Sequence, residues 1–219
     1  MNSLFKMILF LPFLGLMVVQ SGMAQETDDT SSAAQQALEE LEWVAMEPSG
    51  ALAKFEMPVK PRYVERSFTP VKGRDPIKVR LHIATTNGGK ASYIFSYHDL
   101  EERPKDSKAI AATLEGAMRG SLMTVSGKLL SEPQEIQYAG APGRQFVYGY
   151  EQRIRNKDGD ALTEQFFVIA RVFLVRRRQY QLSVLMDSDV YEENLAGKYL
   201  NSFKLIKPEP DLPPVPRKK

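Results

Sequence analysis

The chain has 219 residues, with 29 Lys and Arg against 27 Asp and Glu, two His and no Cys. The lack of cysteine excludes disulfides, thiolate metal sites, thiol nucleophiles and lipid attachment at a cleavage-site cysteine. The near-neutral charge lacks the one-sided cationic excess that grips a phosphate backbone, so no nucleic-acid partner is expected. A hydrophobic content of 43% at this length supports one domain whose core stands without cross-links.

In residues 1–24, Lys6 precedes an uncharged apolar run from Met7 to Val19, and Gly22-Met23-Ala24 sets small residues three and one before Gln25. This is the pattern of a signal peptide cleaved after Ala24; it implies export, with the mature chain periplasmic or extracellular. The run is shorter than the roughly 20 apolar residues a spanning helix wants, so membrane attachment is expected only if cleavage fails. Residues 25–42 form a tether: Asp28, Asp29, Thr30, Ser31 and Ser32 offer too little apolar surface to offset ordering entropy. Ala33 to Glu40 favours a short helix.

A domain over 43–206 follows. After the turn cluster Glu47-Pro48-Ser49-Gly50, Ala53, Phe55 and Met57 alternate with Lys54 and Glu56 as in a half-buried strand. A strand near Arg62 to Phe68, bounded by Pro61 and Pro70, joins the next pair. There Ile77, Val79, Leu81 and Ile83 face the core while Lys78, Arg80, His82 and Ala84 face water. Asn87-Gly88-Gly89 turns the chain into a strand with Tyr93, Phe95 and Tyr97 on one face.

The spacing of Ile110, Leu114, Ala117, Met118, Leu122 and Val125 predicts a helix from Ser107 to Val125, capped by Asp106 or Ser107 and ended at Gly127. Leu129 to Tyr138 leads to a tight turn at Gly140-Ala141-Pro142-Gly143 and a strand from Arg144 to Ile154. A hairpin tip at Asn156-Lys157-Asp158-Gly159 returns the chain along Glu164 to Val175, apolar at nearly every position and therefore expected as the central strand, covered on both faces. Arg176-Arg177-Arg178 makes the next turn, and Tyr180, Leu182, Val184 and Met186 alternate with polar partners. A second helix, capped within Asp187 to Asp189, buries Tyr191, Leu195, Tyr199, Leu200 and Phe203. The five prolines of 207–219 predict a disordered, extended tail.

Several of these segments resemble the PsbP-like domains of exported bacterial proteins: Pro48-Ser49-Gly50 with Phe55 and Pro58, Tyr93 to Leu100, Gly140 to Phe146, Arg171 to Val175, Gln179 to Leu182, and Tyr199 to Leu205. The resemblance implies an α+β fold of the PsbP/Mog1 type: an antiparallel β-sheet flanked by two main α-helices, an α/β/α sandwich. It implies action by docking to a partner, and it supplies no catalytic residue set.

The candidate chemistry is sparse. His82 and His98 are the only imidazoles, so a metal site would depend on carboxylates. His98 with Asp99 could form a base and its orienter, but no nucleophile lies beside them, and a water-contacting strand-end His accounts for the same residues. Asn156, Asp158, Asp160 and Glu164 fit a calcium loop poorly, having Ala161 at the sixth position and no acid at the twelfth. Gly140 to Gly143 lacks the Lys and the helix of a phosphate loop.

Arg176, Arg177 and Arg178 are the densest cation cluster and the candidate partner contact, toward an envelope protein or an anionic surface component. No catalytic residue, metal ligand or cofactor is assigned. The expected function is an exported, non-catalytic binding or accessory domain of the cell envelope. The alternatives are a metal-dependent hydrolase, which needs His98, Asp99 and nearby acids converging in a pocket, and a small-molecule carrier, which needs a cavity between sheet and helices.

Overall fold

The computed structural model describes residues 41–69, 75–155, 161–190 and 193–206. The signal peptide, most of the 25–42 segment, the 156–159 hairpin tip and the proline-rich tail lie outside the described residues. The strands are β1 (Val44–Met46), β2 (Ala53–Met57), β3 (Arg62–Phe68), β4 (Ile77–Thr86), β5 (Ala91–Asp99), β6 (Lys128–Leu129), β7 (Gln134–Tyr138), β8 (Ala141–Arg155), β9 (Ala161–Val175), β10 (Arg178–Asp187) and β11 (Lys204–Leu205). The helices are α1 (Ser107–Val125) and α2 (Glu193–Ser202).

An eight-stranded sheet runs β3-β4-β5-β10-β9-β8-β6, with β7 also paired to β8; β1-β2-β11 form a second sheet of three strands. Every pairing is antiparallel. The α/β/α sandwich of the sequence analysis is therefore corrected: the described residues are mostly antiparallel β-structure with two α-helices. One face of the large sheet carries α1, and the other carries the small sheet together with α2. The cause lies in β2. Its buried Ala53, Phe55 and Met57 turn toward the large sheet, and β1 and β11 pair with its two edges.

The layer between the sheets is aromatic. Phe95 of β5 lies 4.2 Å from Phe55, 5.8 Å from Tyr97 and 6.1 Å from Phe203. Phe203, the residue after α2, stacks on Phe173 at 5.4 Å. On the opposite face Leu114, Ala117 and Met118 of α1 meet Phe146, Tyr148, Val168, Ala170 and Val172. A further cluster of Val79, Leu81, Ile83 and Ile94 lies on the same side of the sheet toward β3.

Helix α1 spans the predicted residues, and Asp106 caps it by accepting from the Ala109 amide at 2.7 Å. At its C-terminus Ser126 takes the left-handed conformation, φ 54°. The Gly127 amide then reaches back to the Leu122 carbonyl at 2.8 Å, one position from the expected stop. The second helix starts later than predicted, at Glu193, after a single tight turn at Ser188–Val190. Leu195 is half-buried and Tyr199, Leu200 and Phe203 are buried; Tyr191 lies outside the described residues.

Two local expectations are corrected. The turn before β8 is made by Ala139 and Gly140, both at positive φ, 49° and 79°, as a two-residue hairpin demands. Ala141, Pro142 and Gly143 already belong to β8. Pro142 precedes the first β8–β9 pair, Gly143 with Phe173, so its missing N–H falls at a strand end. The middle of the large sheet is β10, with β9 beside it. The polar residues that alternate along β10 do not face solvent: Gln179 and Ser183 are buried under α1.

Gly143 admits no side chain: a Cβ there would lie 2.6 Å from both the Phe173 ring and the Val172 carbonyl oxygen. Backbone cannot yield as a flexible side chain can. Gly143→Ala is therefore expected to destabilise the fold by about 1–3 kcal/mol, measured as a lowered urea midpoint at unchanged m-value.

Candidate functional site

Two concave features are built from the ends and faces of these elements. The first is a groove of about 940 Å³ at the end of the large sheet where the β7–β8 and β9–β10 turns lie beside the segment entering α1. Its apolar lining includes Ile110, Pro142, Leu174 and Leu205, and its charged lining is Arg103, Lys105 and Arg176 against Glu102. All four charged residues are exposed, and among the described residues the three cations make no ion pair.

The arginine cluster is divided by the geometry of its turn. Arg176, at φ 57°, and Arg177 form the reversal between β9 and β10 and are exposed. The Arg177 carbonyl accepts from the Leu100 amide at 2.7 Å, which ties the turn to the end of β5. Arg178 is the first residue of β10 and pairs with Asp99 of β5 in register. Its Nε and Nη2 donate to the two Asp99 carboxylate oxygens at 2.8 and 2.9 Å, and its Nη1 donates to the Gly50 carbonyl. Its guanidinium also lies 5.2 Å from the Tyr97 ring centre. Burial opposes ionisation of Asp99, but the Arg178 fork outweighs it and leaves the carboxyl below its usual range. Arg178 is therefore committed to a fork that ties the start of β10 to β5 and the β1–β2 loop, and Arg176 is the cluster member that reaches the groove.

The second feature is a cavity of about 70 Å³ between α1 and the sheet. Ser96 and His98 of β5 and Gln179, Gln181 and Ser183 of β10 form its floor, and Ala117, Gly120 and Ser121 of α1 form its roof. Gln181 donates to Ser121 Oγ at 3.3 Å and to Ser183 Oγ at 3.1 Å. Nε2 of His98 and Oε1 of Gln179 are buried with no hydrogen-bond partner among the described residues. Burial pushes the His98 imidazole down to about 4, with the charge of Asp99 offsetting part of that shift.

Both histidines are thus corrected to buried positions, His82 at 8% exposure and His98 at 3%. His82 sits on the aromatic face, 5.2 Å from Tyr63 and 6.3 Å from Phe55, because Phe55 of the small sheet lies over that face of β4. His98 and Asp99 are not brought together as a base with its orienter. Successive strand residues point to opposite faces, so His98 faces the α1 cavity while Asp99 meets Arg178. Of the proposed calcium-loop residues only Glu164 is described, and among the described residues no three His, Asp or Glu gather as a metal site. None of the described helices is long and apolar enough to cross a membrane. The groove cations Arg103 and Lys105 were not singled out from sequence, since the Pro104 between them carries no helical or strand period.

No protein-family model matches the chain, and no curated protein does. Among solved structures the chain is similar to the Saccharomyces cerevisiae Ran-binding protein Mog1p, at 10% identity and a TM-score of 0.42, over 76% of this chain and 96% of that one. It is also similar to a Mog1 mutant, at 10% identity and a TM-score of 0.37, over 75% of this chain and 96% of that one. At that level of overlap the likeness assigns this chain no activity, ligand or partner.

The buried His98 makes stability depend on pH in a definite direction. Its folded pKa lies below the unfolded value, so between about pH 6.5 and 4 the unfolded chain binds a proton that the folded chain refuses, and stability falls as pH falls through that window. The full shift corresponds to roughly 3 kcal/mol. His98→Gln is expected to lose markedly less stability than the wild type between pH 7 and 4, read from urea unfolding at each pH. Equal losses in the two proteins would show that the imidazole is not the group responsible.

Proposed function

We propose that the chain is an exported, non-catalytic binding domain that docks an acidic, extended segment of a protein partner in the groove beside Arg176. The observation carrying this reading is the groove itself: an apolar floor rimmed by three exposed cations and one acid. Its volume falls in the usual range for ligand sites. Its rim favours negative charge, and Leu174, Ile110 and Leu205 offer contacts for apolar side chains placed between acids. Export is inferred from residues 1–24 and places the docking event in the envelope. The reading also accounts for the division of the arginine cluster, because Arg178 holds the hairpin base that keeps Arg176 at the groove wall.

The test uses a fluorescently labelled peptide rich in Glu, Asp and Leu, titrated against the full chain. The expected result is saturable binding that weakens as salt is raised, and that weakens roughly tenfold or more in the combined variant Arg103→Ser, Lys105→Ser and Arg176→Ser. Unchanged affinity in that variant would overturn the assignment. So would binding to phosphatidylglycerol vesicles in the absence of peptide binding, which would make the groove a lipid contact.

Arg178→Ser is expected to behave differently. Loss of its fork leaves a partly buried Asp99 uncompensated and lowers stability by about 2 kcal/mol, seen as a lower urea midpoint before any effect on the peptide.

A further inference from the structure

The α1 cavity is polar in a place where the same sheet face is otherwise apolar. Under α1, β8 and β9 present Phe146, Tyr148, Val168, Ala170 and Val172. One strand further on, β10 and β5 present Gln179, Gln181, Ser183, Ser96 and His98. Five polar side chains on two adjacent central strands bring large desolvation costs. Part of that cost is met internally, since Gln181 donates to both Ser121 and Ser183. His98 Nε2 and Gln179 Oε1 are left over, and their residues are 97% and 96% buried, being 3% and 4% exposed. These two residues are cross-strand partners, so the two unmet atoms come from one place on the cavity floor. Each unmet buried polar atom carries its desolvation cost uncompensated unless a guest meets it.

We propose that this cavity is a binding site for a small uncharged amide. Among the described residues no charged side chain lines it, so an ionic guest would enter without a counter-charge and lose its hydration. An amide carries a donor for Gln179 Oε1 and both a donor and an acceptor with which to meet His98 Nε2. A volume of about 70 Å³ is roughly twice the ~30 Å³ share of one liquid water, so the guest must be among the smallest amides.

Water is the competing occupant, and it matches only part of the lining. Beside the polar floor, Val79, Ile94, Val168 and Leu185 present apolar surface that water does not complement. A short amide with one methyl group meets both linings at once. Access is present at the rim, where Ser96, Ser121, Thr124 and Gln181 are only partly buried. This site is independent of the groove: it lies on the face of the sheet under α1, and the two linings share no residue.

The probe is acetamide, titrated into the ¹⁵N-labelled full chain, with acetate and methylammonium as charged counterparts of similar size. The expected result is a saturable shift of the His98 ring nitrogens and the Gln179 side-chain amide with acetamide and none with either ion. Gln179→Leu, which keeps the volume and removes the acceptor, is expected to weaken the acetamide response at least tenfold. If that variant does not fold, the wild-type discrimination between amide and ions decides alone. Overturning results are an equal response to acetate, or magnetisation transfer from long-lived internal water at His98 with no response to acetamide, which would make the cavity a hydration site only.

Discussion

The contact on which the rest of the protein depends is the aromatic layer between the two sheets, with Phe95 at its centre. Phe55 of β2 and Phe203 after α2 approach it from the small layer, and Tyr97 and Tyr180 flank it within the large sheet. Aromatic pairs of this kind contribute about 0.5–1.5 kcal/mol each beyond their burial. Their geometric effect is larger than that sum. The β1-β2-β11 sheet is too small to be stable alone, so it exists because β2 can lay Phe55 against β5. Helix α2 is held by the same layer through Tyr199 and Phe203. Its last turn is tied down by Arg171, whose Nη1 donates to the Leu200 carbonyl at 3.1 Å and to Asn201 at 2.8 Å.

Because that layer takes one whole face of the sheet, α1 must cover the other, and it does so unevenly. Its apolar stripe packs over β8 and β9, where the register places Phe146 opposite Ala170 and Tyr148 opposite Val168. Toward β10 and β5 the helix offers Ala117, Gly120 and Ser121, side chains too short to fill the space. A helix of larger residues along that edge would have closed the cavity and left His98 and Gln179 pressed against hydrocarbon. The polar floor and the short roof are therefore one feature: either alone would be a packing defect.

The local structure was largely legible in the sequence. Helix α1 and the strands β2, β3, β4 and β5 lie where periodicity and caps put them, because each carries its own signal: Asp106 before the stripe, alternation in Ala53 to Met57, and Asn87-Gly88-Gly89 between β4 and β5. What was not legible is which faces of the strands meet a second layer. Alternation of apolar and polar residues marks two different faces without saying that one of them is wet. His82, His98 and Gln179 were lost for that reason, and so was the placement of β10 at the middle of the sheet. The sandwich expectation failed similarly, since the short neighbours β1 and β2 and the distant two-residue β11 carry no joint signal that they will form a layer.

The same limit explains the site. A run of three arginines is a single object in sequence, but a two-residue reversal splits it between a turn and a strand. Strand register then sends Arg178 to Asp99, 79 positions away, while the left-handed Arg176 stays outside the ladder and projects at the sheet end. There it meets Arg103 and Lys105 only because Leu100 is bonded to the Arg177 carbonyl, which brings the segment after β5 alongside the turn. The groove is thus assembled by backbone pairing between β5 and β10, and its charge is supplied by residues that the pairing leaves over. A groove built in this way can change its cations without disturbing the core, whereas the Arg178–Asp99 fork cannot change without loosening the frame that positions them.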